Sequence, residues 1–237
     1  LDELKQKQID WIFVSGIDNI LSNFIDPILL GLTIKENNVI ASKSVAKANP
    51  QEKAGVFCKM NGKPKIIEYI DLPEEMAEEL DENGGLMYGD VNIGTYLYRR
   101  SVLENLANAK LPYHAAFKKS GYLNIDGQFI EPEAPNVFKF ETFIFDAFTR
   151  YDNMTIMRVK REDEFAPVKN RTGNDSPETA VKLYFTNKSA TSEIGASLPT
   201  VTGYLFITSW IFIVNSSLQI HLALLYYSPQ YNKTPFF

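Results

Sequence analysis

The stretch that most constrains this chain covers residues 139–180, KFETFIFDAFTRYDNMTIMRVKREDEFAPVKNRTGNDSPETA. It changes character twice. Phe140, Phe143, Phe145 and Phe148 make its first part strongly aromatic. The spacing of Phe140, Phe143, Ile144 and Phe148 predicts one apolar face of a helix, which is core surface by default. A charge-dense segment follows, Arg161, Glu162, Asp163 and Glu164, and ends in Pro167, Val168, Lys169 and Asn170. Ser176, Pro177 and Glu178 then read as a capped helix start. A run of charges is ordinarily a solvated connection. Charges gathered around a fixed Pro-x-Lys are poor material for a core and good material for holding an anion.

The chain has 237 residues, enough for one large domain or two small ones. With 45% hydrophobic and 22% charged residues it is expected to fold around a packed core. A net charge of −5 argues against a nucleic-acid partner, which calls for a basic face. A phosphate-handling protein needs only a few local cations, so the acidic total does not exclude one. Cys58 is the single cysteine, which rules out an internal disulfide and fits a reducing compartment. The first residues, LDELKQKQ, are polar and charged and do not read as a signal peptide.

Along the chain, the apolar run 10–15 suits a buried parallel strand. Asp18 and Asn19 stand just beyond its end. Ligands of open α/β sheets bind beyond the carboxyl ends of strands, where a carboxylate suits Mg²⁺. Asp18 reads equally well as the cap of a helix over 20–24. A short helix is expected over 27–36, and strands over 39–45 and 54–59. Asn61-Gly62 is a hairpin signal. Glu68 lies in the apolar run Ile66, Ile67, Glu68, Tyr69. It reads either as an edge-strand glutamate or as a carboxylate that accepts hydrogen bonds from a ligand. An acidic helix is expected over 72–80, a strand over 86–88, a loop over 89–93 and a helix over 101–108. Tyr122 to Ile130 reads as a hairpin around Asp126-Gly127.

These motifs, in this order, closely resemble the UDP-N-acetylhexosamine pyrophosphorylases over roughly residues 9–182. That family carries K-x-E-x-F-x-F-D, matched from Lys139 to Asp146, then R-E-D-E-F-x-P-x-K-N, matched from Arg161 to Asn170, then P-x-T-A, matched by Pro177 to Ala180. Its V-D-N-x-L and D-P segments are matched at Asp18-Asn19-Ile20-Leu21 and Asp26-Pro27, its G-V-x-C at Gly55 to Cys58, and its V-E-Y at Glu68-Tyr69. The resemblance implies an α/β fold with a Rossmann-like nucleotidyltransferase sheet, mixed and mostly parallel, of which this chain holds part. It implies a reaction of UTP with N-acetylglucosamine 1-phosphate to give UDP-N-acetylglucosamine and pyrophosphate, with Mg²⁺ as cofactor, in the cytoplasm. It assigns Asp18 to the metal, Lys169 and Lys139 to phosphate as catalytic cations, and Asn19 to the nucleotide. Gly55, Glu68, Asn92, Phe143 and Phe145 fall to the sugar, the two rings beside its N-acetyl group. His114, within the family's L-x-x-H segment, is read as packed.

Two departures stand against the resemblance. Gly89-Asp90-Val91 replaces the family's Asn-Ala-Gly before Asn92, which is expected to bring the Asp90 charge near a sugar phosphate. The family's upstream G-G-x-G-T-R loop, which holds the UTP phosphates, has no counterpart here, so the chain reads as truncated at its N-terminus. A catalytically inactive fragment is therefore an alternative reading, as is a pyrophosphorylase for UDP-glucose or other UDP-sugars. Residues 1–185 are expected to form the sugar-binding part of the catalytic domain. Residues 186–237 diverge from the family. Within them 201–227 has no Lys, Arg, Asp or Glu and is long enough to span a bilayer. The interruption at Asn215-Ser216-Ser217 and Gln219, with no flanking basic cluster, makes a membrane partner the weaker expectation and non-native coding the stronger.

Overall fold

The computed structural model describes residues 1–23, 25–191, 211–215 and 220–223. In chain order the elements are α1 (Asp2–Gln6), β1 (Ile9–Ser15), α2 (Pro27–Lys35), β2 (Ile40–Ala46), β3 (Val56–Met60), β4 (Lys63–Ile67), α3 (Glu74–Glu78), β5 (Asp90–Arg99) and α4 (Arg100–Ala107). They continue with β6 (His114–Lys118), β7 (Tyr122–Leu123), β8 (Phe129–Ile130), β9 (Val137–Glu141), a 3₁₀ helix (Ile144–Arg150), β10 (Thr155–Arg158), α5 (Arg161–Glu164), α6 (Pro177–Thr191), β11 (Ile211–Asn215) and β12 (Ile220–Ala223).

The main sheet runs β10-β2-β5-β1-β11-β12, and β3 branches from β5 with β4 on its outer side. It is a mixed sheet. β5 is antiparallel to both β1 and β2, so these two run the same way, and β10 is parallel to β2. The expected common direction therefore holds for β1, β2 and β10, with the reversed β5 among them. The pairing expected of β1 does not hold: it is antiparallel to β5 and to β11. An isolated apolar run reports burial, not the direction of its neighbours.

Burial on both faces explains the composition of the central strands. Ile40 of β2 joins Phe57, Tyr96, Tyr98, Phe145 and Phe148 on one side of the sheet, while Ala41 joins Phe13, Leu29 and Leu97 on the other. α2 covers the second side. Asp26 caps it, accepting from the N–H groups of Ile28 at 2.9 Å and Leu29 at 3.2 Å, and Pro27 stands at its first position. The β3–β4 hairpin turns on Asn61 and Gly62, at φ 52° and 77°, as the Asn-Gly signal predicts.

β5 begins inside the segment expected to be a loop, taking up 90–93 of 89–93. Ser42 faces Tyr96 and Ser44 faces Asn92, so the residues between Asn92 and Tyr96 bulge opposite Lys43. Gly94 adopts φ 70° there, a conformation glycine reaches without penalty. The aromatic segment also departs from the predicted helical face. Phe140 lies on β9, in a separate two-stranded sheet with β6, and only the turn after it is helical, bringing Phe145 and Phe148 into the core. Residues 20–21 form a turn rather than a helix, and Phe24 lies outside the described residues.

Within the apolar tail, β11 pairs with β1 and β12 with β11. The rest of 201–227 lies outside the described residues. Among the described residues no helix is long and apolar enough to cross a membrane.

Candidate active site

A cleft of about 410 Å³ opens where several segments meet. Asp18 comes from the loop after β1, Gly55 from the entry to β3, Glu68 from the exit of β4, Asn92 and Gly94 from the bulge of β5, and Lys169 from the Pro-x-Lys loop. Five of the residues assigned to the site from sequence, Asp18, Gly55, Glu68, Asn92 and Lys169, thus share one wall. Lys53, Tyr69 and Phe165 line it as well. Tyr69 and Phe165 stand inside the V-E-Y and R-E-D-E-F matches without having been singled out there, and Lys53 carried no distinguishing signal in the sequence.

Two glycines make room for the two carboxylates. A Cβ on Gly16 would stand 2.7 Å from an oxygen of Asp18, and one on Gly55 would stand 2.9 Å from an oxygen of Glu68. Asn92 is held from several directions. Its N–H donates to the Gly55 carbonyl at 2.8 Å, its Nδ2 donates to the Tyr96 hydroxyl at 2.9 Å, and its Oδ1 accepts from the Gly94 N–H at 3.0 Å.

The Lys169 loop is fastened to the loop after β1. Asn19 donates through Nδ2 to the Glu164 carbonyl at 2.7 Å and accepts through Oδ1 from the Ala166 N–H at 2.8 Å. The Val168 N–H donates to the Asp18 carbonyl at 2.8 Å. On the far side, the N–H groups of Lys169 and Asn170 both donate to the Asp175 carbonyl, at 2.7 and 2.9 Å. Arg161 reaches back to Glu52, with its guanidinium 2.7 and 2.9 Å from the two carboxylate oxygens. Arg161 and Glu164 of the charge-dense run therefore brace the loop, while Glu162 and Asp163 between them are exposed.

Glu68 has no hydrogen bond or ion pair to its carboxylate among the described residues. Burial pushes its carboxyl above the ordinary 4.5, with the charges of Asp71 and Asp146 acting the same way and those of His114 and Lys169 opposing. His114 holds Asp146 through Nε2 at 2.8 Å and lies 4.9 Å from the Phe143 ring. It is packed, as read from sequence, but close enough to influence Glu68. The Lys169 ammonium sits 5.8 Å from the centre of the Phe165 ring.

The structure brings four other expected residues elsewhere. Lys139 is on β9 of the separate hairpin, its side chain half exposed and paired with Glu141 at 2.7 Å, and it does not line the cleft. Asn19 is 5% exposed, with its amide engaged inside the protein, and serves the loop where a nucleotide contact was expected. Phe143 and Phe145 stack on one another at 4.7 Å, and Phe145 lies in the core 6.5 Å from Tyr96. Neither lines the cleft. The expectation for Asp90 is corrected. Arg158 grips its carboxylate at 2.7 and 2.8 Å, and Ser44 donates at 2.7 Å. Burial opposes ionisation, but these hydrogen bonds hold the carboxyl below 3.8, and its charge is matched by Arg158 away from the cleft.

Among the described residues no group of three or more His, Cys, Asp or Glu side chains could hold a metal by itself. The cleft offers the Asp18 carboxylate for that task. A single carboxylate suits Mg²⁺, which takes one or two and completes its shell with water and substrate phosphate.

Comparison with known proteins gives the family. The model of the UDPGP family, described as UTP–glucose-1-phosphate uridylyltransferase, matches residues 1–203. The chain is 34% identical over 184 residues to the mouse UDP-N-acetylhexosamine pyrophosphorylase-like protein 1, covering 76% of this chain and 36% of that protein. It is 34% identical over 191 residues to the Saccharomyces cerevisiae UDP-N-acetylglucosamine pyrophosphorylase, covering 77% and 40%. A crystal structure of the Trypanosoma brucei UDP-N-acetylglucosamine pyrophosphorylase in complex with an inhibitor superposes with TM-score 0.64 at 28% identity, over 83% of this chain and 40% of that one. The chain thus spans well under half the length of these relatives. With most of its residues matched by the family model, the chain belongs to the UDPGP family.

Proposed function

We propose that this chain forms the sugar-phosphate side of a uridylyltransferase that makes UDP-N-acetylglucosamine and pyrophosphate from UTP and N-acetylglucosamine 1-phosphate. The observation that carries the reading is the convergence of Asp18, Gly55, Glu68, Asn92 and Lys169 on one cleft. In the reaction an oxygen of the sugar phosphate attacks the α-phosphorus of UTP and pyrophosphate leaves. The work of the protein is alignment and charge stabilisation. Glu68 accepts hydrogen bonds from sugar hydroxyls, Asn92 is held rigid beside it, and the bare Cα of Gly55 lets the sugar approach the backbone. Lys169 faces the phosphate oxygens. Asp18 would hold Mg²⁺, which when bound supplies positive charge at the phosphates. The small-molecule partners on this reading are UTP and a hexosamine 1-phosphate, in a cytoplasmic setting where Cys58 remains a thiol.

A second reading takes glucose 1-phosphate as the sugar. It is favoured by Phe143 and Phe145, which stack on one another outside the cleft lining where rings beside an N-acetyl group would be expected to line it. Thermal stabilisation by UDP-N-acetylglucosamine and by UDP-glucose, measured in parallel, separates the two. A larger shift with the acetylated sugar supports the first reading, a larger shift with UDP-glucose supports the second, and no shift with either leaves an inactive fragment.

A further inference from the structure

Lys43 lies in the middle of β2 with its side chain 0% exposed. Its ammonium is 2.7 Å from Asp26, 2.6 Å from Glu164 and 3.0 Å from the carbonyl of Asn23. It takes no part in the cleft lining. Removing three charges from water is a poor way to gain stability, because desolvation offsets most of the attraction. What such a group supplies is direction. Asp26 is already engaged at the start of α2, where the N–H groups of Ile28 and Leu29 donate to it. Glu164 belongs to the loop that carries Lys169. From Glu164 onward that loop is tied at each step: the Glu164 carbonyl and the Ala166 N–H to Asn19, and the Val168 N–H to the carbonyl of Asp18. The pair Lys43–Glu164 is the ionic anchor at the head of this series.

We propose that Lys43 is a positioning residue for Lys169: through Glu164, with Asp26 as the second counter-charge, it fixes the loop that sets the Lys169 ammonium over the cleft. The loop then reaches the ligand already ordered, and Asp18 and Lys169 keep a fixed relation because Asn19 and Val168 link their two segments. The functional half of this statement rests on the assignment of Lys169 to phosphate made above.

The test compares this chain with two variants of the ionic group and repeats one of them on a Lys169→Ala background. Glu164→Gln keeps an acceptor for Lys43 and removes the charge. The triple change Lys43→Met, Asp26→Asn, Glu164→Leu replaces the ionic group by apolar volume and retains a capping side chain, a kind of replacement that commonly leaves folding stability unchanged or improved. Amide exchange at Ala166 and Val168 is expected to quicken about tenfold or more in both variants, while the amides of Leu97 and Tyr98 in β5 keep their protection. The dissociation constant of UDP-N-acetylglucosamine, read by calorimetry, is expected to rise about tenfold in Glu164→Gln and by less than about twofold when the same change is made on Lys169→Ala. Unchanged exchange at Ala166 and Val168 in both variants overturns the proposal. So does a loss of affinity of the same size with and without Lys169. Should the unaltered chain bind no UDP-sugar, the functional reading fails, and the exchange comparison still decides whether Lys43 orders the loop.

Discussion

A Cβ placed on Gly55 would come within 2.9 Å of a Glu68 carboxylate oxygen and 3.1 Å of the Ile66 side chain. The glycine at the entry to β3 and the glutamate at the exit of β4 are thus fitted to each other across the hairpin. Gly55→Ala is expected to push the Glu68 carboxylate out of its place, to destabilise the fold by about 1–3 kcal/mol through overpacking, and to weaken UDP-N-acetylglucosamine about tenfold or more. Urea denaturation and calorimetry measure the two effects. An alanine variant with unchanged affinity would remove Glu68 from sugar recognition.

The state of Glu68 has a pH signature. Its folded-state carboxyl lies above the unfolded value of 4.5, chiefly because it is buried, so the ionised form is the one the fold disfavours. That cost is fully present above the raised value. It shrinks as the pH falls through it and is gone below 4.5, where the folded and unfolded chains both carry the proton. Glu68→Gln is therefore expected to be more stable than the unaltered chain at about pH 7 and equal to it at about pH 4. The same variant should bind UDP-sugar more weakly at neutral pH. Denaturation curves at a series of pH values check the first statement, and a constant stability difference across the range would contradict it.

Lys169 and Lys139 were assigned the same task by their motifs, and the structure separates them. Lys169 lines the cleft, whereas Lys139 is paired with Glu141 on the hairpin of β6 and β9. In an active polypeptide that carries this chain, Lys169→Ala is expected to lower turnover about 10²-fold or more, the scale of losing one preorganised charge-stabilising donor. Lys139→Ala is expected to change turnover by less than about twofold and stability by no more than about 0.5 kcal/mol, as an exposed ion pair does. A large loss in the second variant would bring the hairpin into the site.

Asn19 joins the two loops through both ends of its amide, reaching the Glu164 carbonyl and the Ala166 N–H. Asn19→Ala leaves that carbonyl and that N–H without their partner in a buried place, at a cost of about 1–3 kcal/mol. Asn19→Asp keeps an acceptor for Ala166 but turns an anion toward the Glu164 carbonyl, so it is expected to be no better than alanine. If either variant melts with the unaltered chain, the two loops are held by other contacts.

Much of this organisation could be read from the chain itself. The short helix begun by Pro27, the Asn-Gly hairpin at Asn61-Gly62 and the family motifs around Gly55, Glu68, Asn92 and Lys169 each rest on residue types whose conformational or chemical demand is local. A proline fixes its own φ, a glycine permits its own turn, and a carboxylate in an apolar run announces itself without reference to distant residues.

What only the tertiary structure decided depends on partners far away in sequence. Lys43 and Ser42 sit in a strand that is buried in all but its last residue, an improbable place for them until Asp26, Glu164 and the β5 backbone arrive as partners. Asp90 looked like an intruding charge and proved to be neutralised by Arg158, 68 residues on. Asn19 and the pair Phe143 and Phe145 carry motif positions, yet their side chains went to loop fastening and core packing. A motif records which residue stands where, and burial and pairing settle which atoms remain free to meet a ligand. That outcome is fixed by the crossing of β1, β2, β5 and the Lys169 loop, a non-local event whose energy belongs to no single segment.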